Sequence, residues 1–542
     1  MQSILSKMDA AQTAQGHGNW SSAADHWQDL YRENPLNKDF IIFAGNAYFR
    51  AKDYEQAISC YQQGYGYSRF RPATVSYNIA CCYALSANVE EALHWLTIAI
   101  QEDGFSNILL AQEDNDLEAL HDHPDFRSLV GLDIPDNVDT IEGWRMDLAL
   151  MAKQIKHISY RPFHEVSEAE FDAAVQQLHD DIPHMQTAQI ILAMMRLLAI
   201  VGNGHTNLDT SVLPIPLFEV SLPLELFWLD EGLVILSAHP NYESLLTCRI
   251  THIDGHPIEE IETAIRPLIS RDNEIWYKQM IPIHMMYPQL LQALGFAKQS
   301  DCLRLTLIDT DGNTRHKQVE AFPTKRYSMY FWQNQERVYA TIPAPDYMAQ
   351  RQQNYWLRYD ADDNLLYVQF NQVRNMPDED SLSEFAARVQ ALVKVHTIET
   401  IVVDVRWNTG GNNYLCMPLL NFLIGYDALD MGNVFVIIGR RTFSAAQNFV
   451  SLLERHSDVI FVGEPTGSAP NFIGETTSMR LPYSGIEFSV ADLFWQNSVP
   501  TDMRPYIAPH IYTPLTLDDV AKGEDPAMRA IREGLTTLTN EA

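Results

Sequence analysis

The chain is poor in positive charge. Lys and Arg number 38 against 70 Asp and Glu, a formal net charge of −32 over 542 residues. So acidic a surface repels phosphate backbones and anionic bilayers, which argues against nucleic acid or a membrane as partner. Long apolar runs are also missing: no stretch of about 18 apolar residues occurs, so no membrane-spanning helix is expected. The opening residues, Met1 to Ala10, lack the apolar core of a secretory leader. Cysteine is scarce, and Cys60, Cys81, Cys82, Cys248, Cys302 and Cys416 show no CxxC spacing. Lying mostly among apolar residues, they read as small buried thiols of a reduced, cytoplasmic protein. There is no phosphate loop and no dinucleotide fingerprint, and the 18 histidines lack ligand spacing, so neither cofactor nor metal is expected.

What the chain does have is apolar material: 46% of its residues, with 24 Tyr and 23 Phe, enough to fill globular cores. Its length suggests about three or four domains. The most informative stretch is Gly439-Arg-Arg-Thr-Phe-Ser-Ala-Ala-Gln447. Before it, Asn433 to Ile438 is an apolar, β-branched run; after it, Ala445, Ala446, Phe449, Val450, Leu452 and Leu453 recur at helical spacing. Ser444 therefore sits at a strand-to-helix turn, beside backbone N–H groups that a helix leaves unpaired and that a developing oxyanion can use. Alone, this reads as a helix cap. A second apolar run, Thr400 to Arg406, ends in Trp407-Asn-Thr-Gly-Gly-Asn412, where paired glycines allow close backbone approach. Two parallel strands ending in such turns place both at the carboxyl edge of one sheet, where α/β folds build their sites. A histidine with flanking glycines, His205 in Val201-Gly-Asn-Gly-His-Thr206, stands on a sharp turn after the helical stretch 187–200.

Taken together, Asp404-Val-Arg-Trp-Asn-Thr-Gly-Gly411, Thr442-Phe-Ser-Ala-Ala446 and Val462-Gly-Glu-Pro-Thr-Gly467 resemble the core of the tail-specific and tricorn-type serine peptidases, over about three quarters of the chain. The resemblance implies a crotonase-like core of stacked ββα units with a PDZ-like module and a helical subdomain before it. It implies Ser444 as nucleophile, His205 as general base, and an oxyanion hole from Gly410 or Gly411 and the N–H of Ala445. One branch uses a lysine shortly after Gly-xx-Thr; here Ala469 stands about where it would fall, which excludes that dyad and favours Ser–His chemistry. The third group would be a late carboxylate, for which Asp502 is the match, with Glu464 and Glu475 competing. Gly204 replaces a serine that the tricorn branch carries before its histidine. Many relatives oligomerise, so a homo-oligomer is an expectation too.

Residues 1–130 differ. Ala23-xxx-Trp27, Ala57-xxx-Tyr61 and Ala92-xxx-Leu96 recur at a period of about 34 residues, with turns at Lys52-Asp53 and Ala87-Asn88. This looks like two tetratricopeptide units after a half-formed one, an array whose groove binds a protein partner or serves as a packing surface. The expected organisation is thus an all-α array (1–130), a linker (131–142), a helical subdomain (143–206), a PDZ-like module with a helical insertion (207–325) and the α/β core (326–542). Three functions fit: a peptidase acting on peptides or protein tails, a silent scaffold that binds partners, and a small ester or amide hydrolase.

Overall fold

The computed structural model describes residues 4–66, 72–105, 107–132, 138–324, 338–339, 344–376 and 380–541. The chain forms two compact units, Met1–Met151 with Thr477–Phe488, and Ala152–Thr476 with Ser489–Ala542. The division falls inside the helix Thr140–Ile158. Residues 133–137 of the expected linker, and the expected boundary between 325 and 326, lie outside the described residues.

In the first unit α1 (Ile4–Gly16), α2 (Trp20–Glu33), α3 (Asp39–Arg50), α4 (Tyr54–Gly64), α5 (Pro72–Leu85) and α6 (Val89–Thr97) pack in succession as three helix pairs. The first pair is complete rather than half-formed. Its α1 buries only Ala11 and Ala14, residues too small to leave a strong apolar stripe in the sequence. The recurrent alanines Ala23, Ala57 and Ala92 are fully buried, as are Tyr61 and Leu96. Lys52 and Ala87 take left-handed φ of 60° and 57°, and Asp53 and Asn88 then cap α4 and α6 through the N–H groups of Gln56 and Glu91. The returning segment Thr477–Phe488 is held where Asp147 accepts the N–H groups of Tyr483 and Ser484 at 2.9 and 2.8 Å.

The second unit contains a largely antiparallel sheet of β1 (Leu224–Leu229), β2 (Gly232–Ala238), β3 (Arg249–Ile253), β4 (Cys302–Ile308) and β5 (Thr314–Glu320). The Asp254-Gly255 turn has positive φ at both residues, as a tight hairpin requires. Helix α7 (Thr187–Ala199) precedes this sheet, and α8 (Glu274–His284) is inserted between β3 and β4.

The larger sheet runs β6 (Tyr355–Asp360), β7 (Leu365–Phe370), β8 (Thr400–Asp404), β9 (Asn433–Ile438) and β10 (Ile460–Gly463). After an antiparallel pair of β11 (Asn471–Gly474) and β12 (Leu493–Gln496), β13 (Ile511–Tyr512) completes its edge. Only β6 is antiparallel to its neighbour; β7 to β10 and β13 are parallel. Both faces are covered, which explains the unbroken apolar runs of β8 and β9. Val403, Val434 and Val436 face α9 (Leu382–Val395), α10 (Met417–Ala428) and α11 (Ala445–His456). Val402, Phe435 and Val462 face α12 (Pro526–Glu541) through Ala527, Met528 and Ile531. Because β8 and β9 are adjacent and parallel, the turns 407–412 and 439–444 emerge side by side.

Candidate active site

Those two turns are stitched together. Thr442 Oγ1 donates to Val405 O at 3.0 Å and accepts the N–H of Gly439 at 3.1 Å; Phe443 N–H donates to Asn408 O at 3.1 Å. Ser444 then takes φ 55° and ψ −124°, a region that costs a non-glycine residue about 1–3 kcal/mol. Its hydroxyl makes no cap bond to α11, so the capping reading of this serine fails. Instead Ser444 Oγ lies 3.0 Å from His205 Nε2, across 239 residues of chain.

The turn carrying His205 is clamped on several sides. Gly202 has φ 78°, and its carbonyl meets His164 Nε2 at 3.0 Å. Asn203 Oδ1 accepts the N–H groups of His205 and Thr206 at 3.2 and 2.8 Å. Asn207 Nδ2 donates to Gly204 O at 2.7 Å, and Gly204 N–H donates to Asp272 Oδ1 at 2.6 Å. Glycine is required at 204, since a Cβ there would stand 2.8 Å from the Phe443 ring. The imidazole is half-buried, but its faces are shut between Phe443, 4.6 Å and 19° away, and Phe472, 5.6 Å and 13° away. Trp276 stacks on the far side of Phe443 at 4.1 Å. This enclosure disfavours the imidazolium and lowers the His205 pKa from 6.5 to about 4. The neutral ring can accept the serine proton at Nε2 only with its own proton on Nδ1, and Nδ1 is buried with no partner.

Of the glycines after β8, Gly410 donates its N–H to Asn408 Oδ1 at 2.9 Å. Its Cα packs so close to the nucleophile that a Cβ would lie 2.7 Å from Ser444 Cβ. Its amide is therefore spent. Of the alternatives Gly410 and Gly411, the bond to Asn408 disfavours Gly410 as an oxyanion donor and leaves it as a spacer against Ser444.

The expected acids are elsewhere. Asp502 is bonded by Arg504 Nε at 2.9 Å and by Ser498 Oγ at 2.7 Å; the guanidinium holds its carboxyl far below the usual range, and it does not reach His205. Glu464 pairs with Arg440, and Glu475 is exposed in a left-handed turn, φ 50°. The carboxylate at the histidine turn is Asp272, just before Asn273, which caps α8. Burial pushes Asp272 up to about 6, against the pull of Gly204 N–H, the nearby Ser468 hydroxyl and His164. In sequence Asp272-Asn273 looks like any helix start.

Among the described residues one group has metal-ligand proximity: Cys81, Asp114 and Asp116 of the helical unit, with ligand atoms within 4.8 Å. Tyr77 O–H already donates to Asp114 at 2.8 Å, and burial pushes the Cys81 thiol well up, so the group is satisfied as it stands. All six cysteines are buried thiols, and no helix among the described residues is long and apolar enough to cross a membrane.

Fold and site together define an α/β protein with a serine–histidine pair at the carboxyl edge of a mainly parallel sheet. That architecture has counterparts among solved structures. Mature CPAF complexed with lactacystin matches with a TM-score of 0.53 at 12% identity, over 74% of this chain and 99% of that one. Mature CPAF alone matches with 0.51 at 13% identity, over 74% and 98%. The tricorn protease matches with 0.34 at 13% identity, over 73% of this chain and 37% of that one. No family model and no curated protein sequence matches. The chain thus shares the fold of CPAF over about three quarters of its length, and the multidomain helix-plus-sheet architecture expected from the motifs is the one observed.

Proposed function

We propose that the chain is a serine peptidase that cleaves peptides or protein tails through an acyl-enzyme. The observation that carries this is the 3.0 Å approach of His205 Nε2 to Ser444 Oγ. As the hydroxyl attacks a scissile carbonyl, its proton passes to Nε2, and the carbonyl oxygen becomes an oxyanion facing the N–H groups of Gly411 and Ala445. The imidazolium then gives that proton to the leaving amine. Water enters, loses a proton to the same nitrogen and releases the acyl group, restoring the serine.

The same geometry serves esters and small amides. Polypeptide is the favoured substrate because the fold is shared with CPAF, and because a separate helical unit accompanies the site. We read that unit as tetratricopeptide-like repeats offering a groove to a protein partner, the β1–β5 sheet as a PDZ-like module, and the β6–β13 sheet with its helices as crotonase-like. A cytoplasmic location and homo-oligomers belong to the same reading.

The test is labelling of the purified protein with a fluorophosphonate serine probe, beside Ser444→Ala and His205→Ala. Wild type should label, Ser444→Ala should not, and His205→Ala should label at least a hundredfold more slowly. Folded but unlabelled wild-type protein would overturn the reading in favour of a silent scaffold.

A further inference from the structure

Five apolar side chains beside the histidine turn surround space that they do not fill. Met195 and Leu198 lie three apart on α7, and Trp276 and Met280 lie four apart on α8, so each pair presents one face of its helix. With Leu268, from the turn ahead of α8, they wall a cavity of about 270 Å³. Each of these side chains is less than a tenth exposed. An apolar cavity of about 150 Å³ already holds benzene, so this one has room for a large side chain. His284, one turn beyond Met280, adds a polar wall. Its Nδ1–H donates to Met280 O at 3.0 Å and burial lowers its pKa, so the ring is neutral with Nε2 as acceptor. Of the residues lining the cavity only Asp209 carries a formal charge; it is exposed, and its Oδ1 is taken by the N–H and hydroxyl of Ser211. A cationic side chain would have to shed water against apolar walls, whereas an apolar one gains by leaving water.

The cavity also lies within reach of the chemistry. Gly204 forms part of its wall, and the next residue is His205, whose Nε2 is 3.0 Å from Ser444 Oγ. Adding about 6 Å for the reach of the imidazole and about 3.8 Å between consecutive Cα atoms puts Gly204 Cα no more than about 13 Å from that oxygen. An extended peptide covers such a distance in about four residues. We infer that the cavity is a side-chain subsite: it takes one large apolar side chain of a polypeptide substrate, within about four residues of the bond that Ser444 attacks. The inference rests on the serine-peptidase reading and deepens it by naming the class of side chain recognised. The five apolar walls come from α7 and from the segment inserted between β3 and β4, not from the strand-end turns that carry Ser444 and Gly411. Selectivity is thus built by one part of the chain and chemistry by another.

Two substitutions at Leu268, which stands outside the stack of rings on His205, test this in opposite directions. Leu268→Trp fills the cavity and Leu268→Ala enlarges it. Wild-type protein given a random peptide library should cut peptides enriched in Leu, Met, Phe or Tyr at one position within about four residues of the cut. Exchanging that residue for Ala should lower kcat/KM at least about tenfold. Leu268→Trp should reduce this preference by a similar factor, and Leu268→Ala should move it towards Trp. A general loss of folding cannot shift selectivity in two directions. Binding supplies a readout without turnover: library peptides selected on Ser444→Ala should show the same apolar preference, and those selected on Ser444→Ala/Leu268→Trp should not. A wild type that never labels with the fluorophosphonate probe, beside apolar-selective binding that Leu268→Trp removes, would keep the subsite and remove the peptidase reading. A labelled, cleaving wild type would overturn the inference and leave the peptidase reading intact in any of three cases: no apolar preference near the cut, a preference for Lys or Arg there, or a preference that neither Leu268 variant moves.

Discussion

At the scale of single residues, the site depends on positions where any side chain is too much. Gly411 has φ 139°, and a Cβ there would stand 2.2 Å from Val373 O, the carbonyl that takes the next amide, Asn412 N–H, at 2.8 Å. Gly411→Ala must therefore displace the amide we assign to the oxyanion. Turnover should fall by about 100- to 1,000-fold with little change in KM, a split measurable by steady-state kinetics on any cleaved peptide. The turns carrying Ser444 and His205 were legible from sequence as a strand–turn–helix and a glycine-flanked turn, but pairing the two residues across 239 positions came from the family resemblance. The place of Asp272 at the histidine turn was not legible, because it comes from one contact with a residue 68 positions away. Asp502 was misjudged for the converse reason: Arg504, two residues on, captures it. The spacing role of Gly410 was equally hidden, since it rests on the side chain of Asn408.

At the scale of elements, the helical repeats were read from small residues at fixed spacing, and the structure shows what those residues do. Gly45 in α3 lets the Tyr61 ring of α4 approach; a Cβ would meet two ring carbons at 2.8 Å. Tyr61 cannot easily retreat, being fully buried with its hydroxyl on Asn46 at 2.8 Å. Alanine would favour the helix by about 1 kcal/mol over glycine, but overpacking costs about 1–3 kcal/mol. The clash should win, so Gly45→Ala lowers the unfolding midpoint of the helical unit while serine labelling stays at the wild-type rate. A stabilised variant would show that α3 and α4 can part without cost. The strands of the large sheet were legible for a different reason: burial on both faces writes an apolar residue at nearly every position of β8 and β9. The short β13, with two exposed residues, left no such trace.

At the scale of the molecule, the division into units escaped the sequence because Thr477–Phe488 returns to the first unit after more than 300 intervening residues. No local pattern records such a return. Global stability should also register the buried histidine. Unfolded, it titrates near 6.5; folded, near 4. Between those values the unfolded chain binds the extra proton, so this residue's contribution to stability declines as pH falls from 6.5 towards 4. Asp272, raised to about 6, works in the opposite sense and adds stability as pH falls through 6. Comparing wild type with His205→Gln in denaturant titrations cancels the other groups. The wild type should lose up to about 2 kcal/mol relative to the variant between about pH 7 and 5. Parallel curves would mean that the ring is solvated.

The column of rings, Phe472, His205, Phe443 and Trp276, carries one more consequence. An imidazole covered on both faces can neither tip nor swing, so its aim at the serine is settled when the chain folds and requires no search during each turnover. With Nδ1 enclosed, the proton has a single door, and it opens onto Ser444.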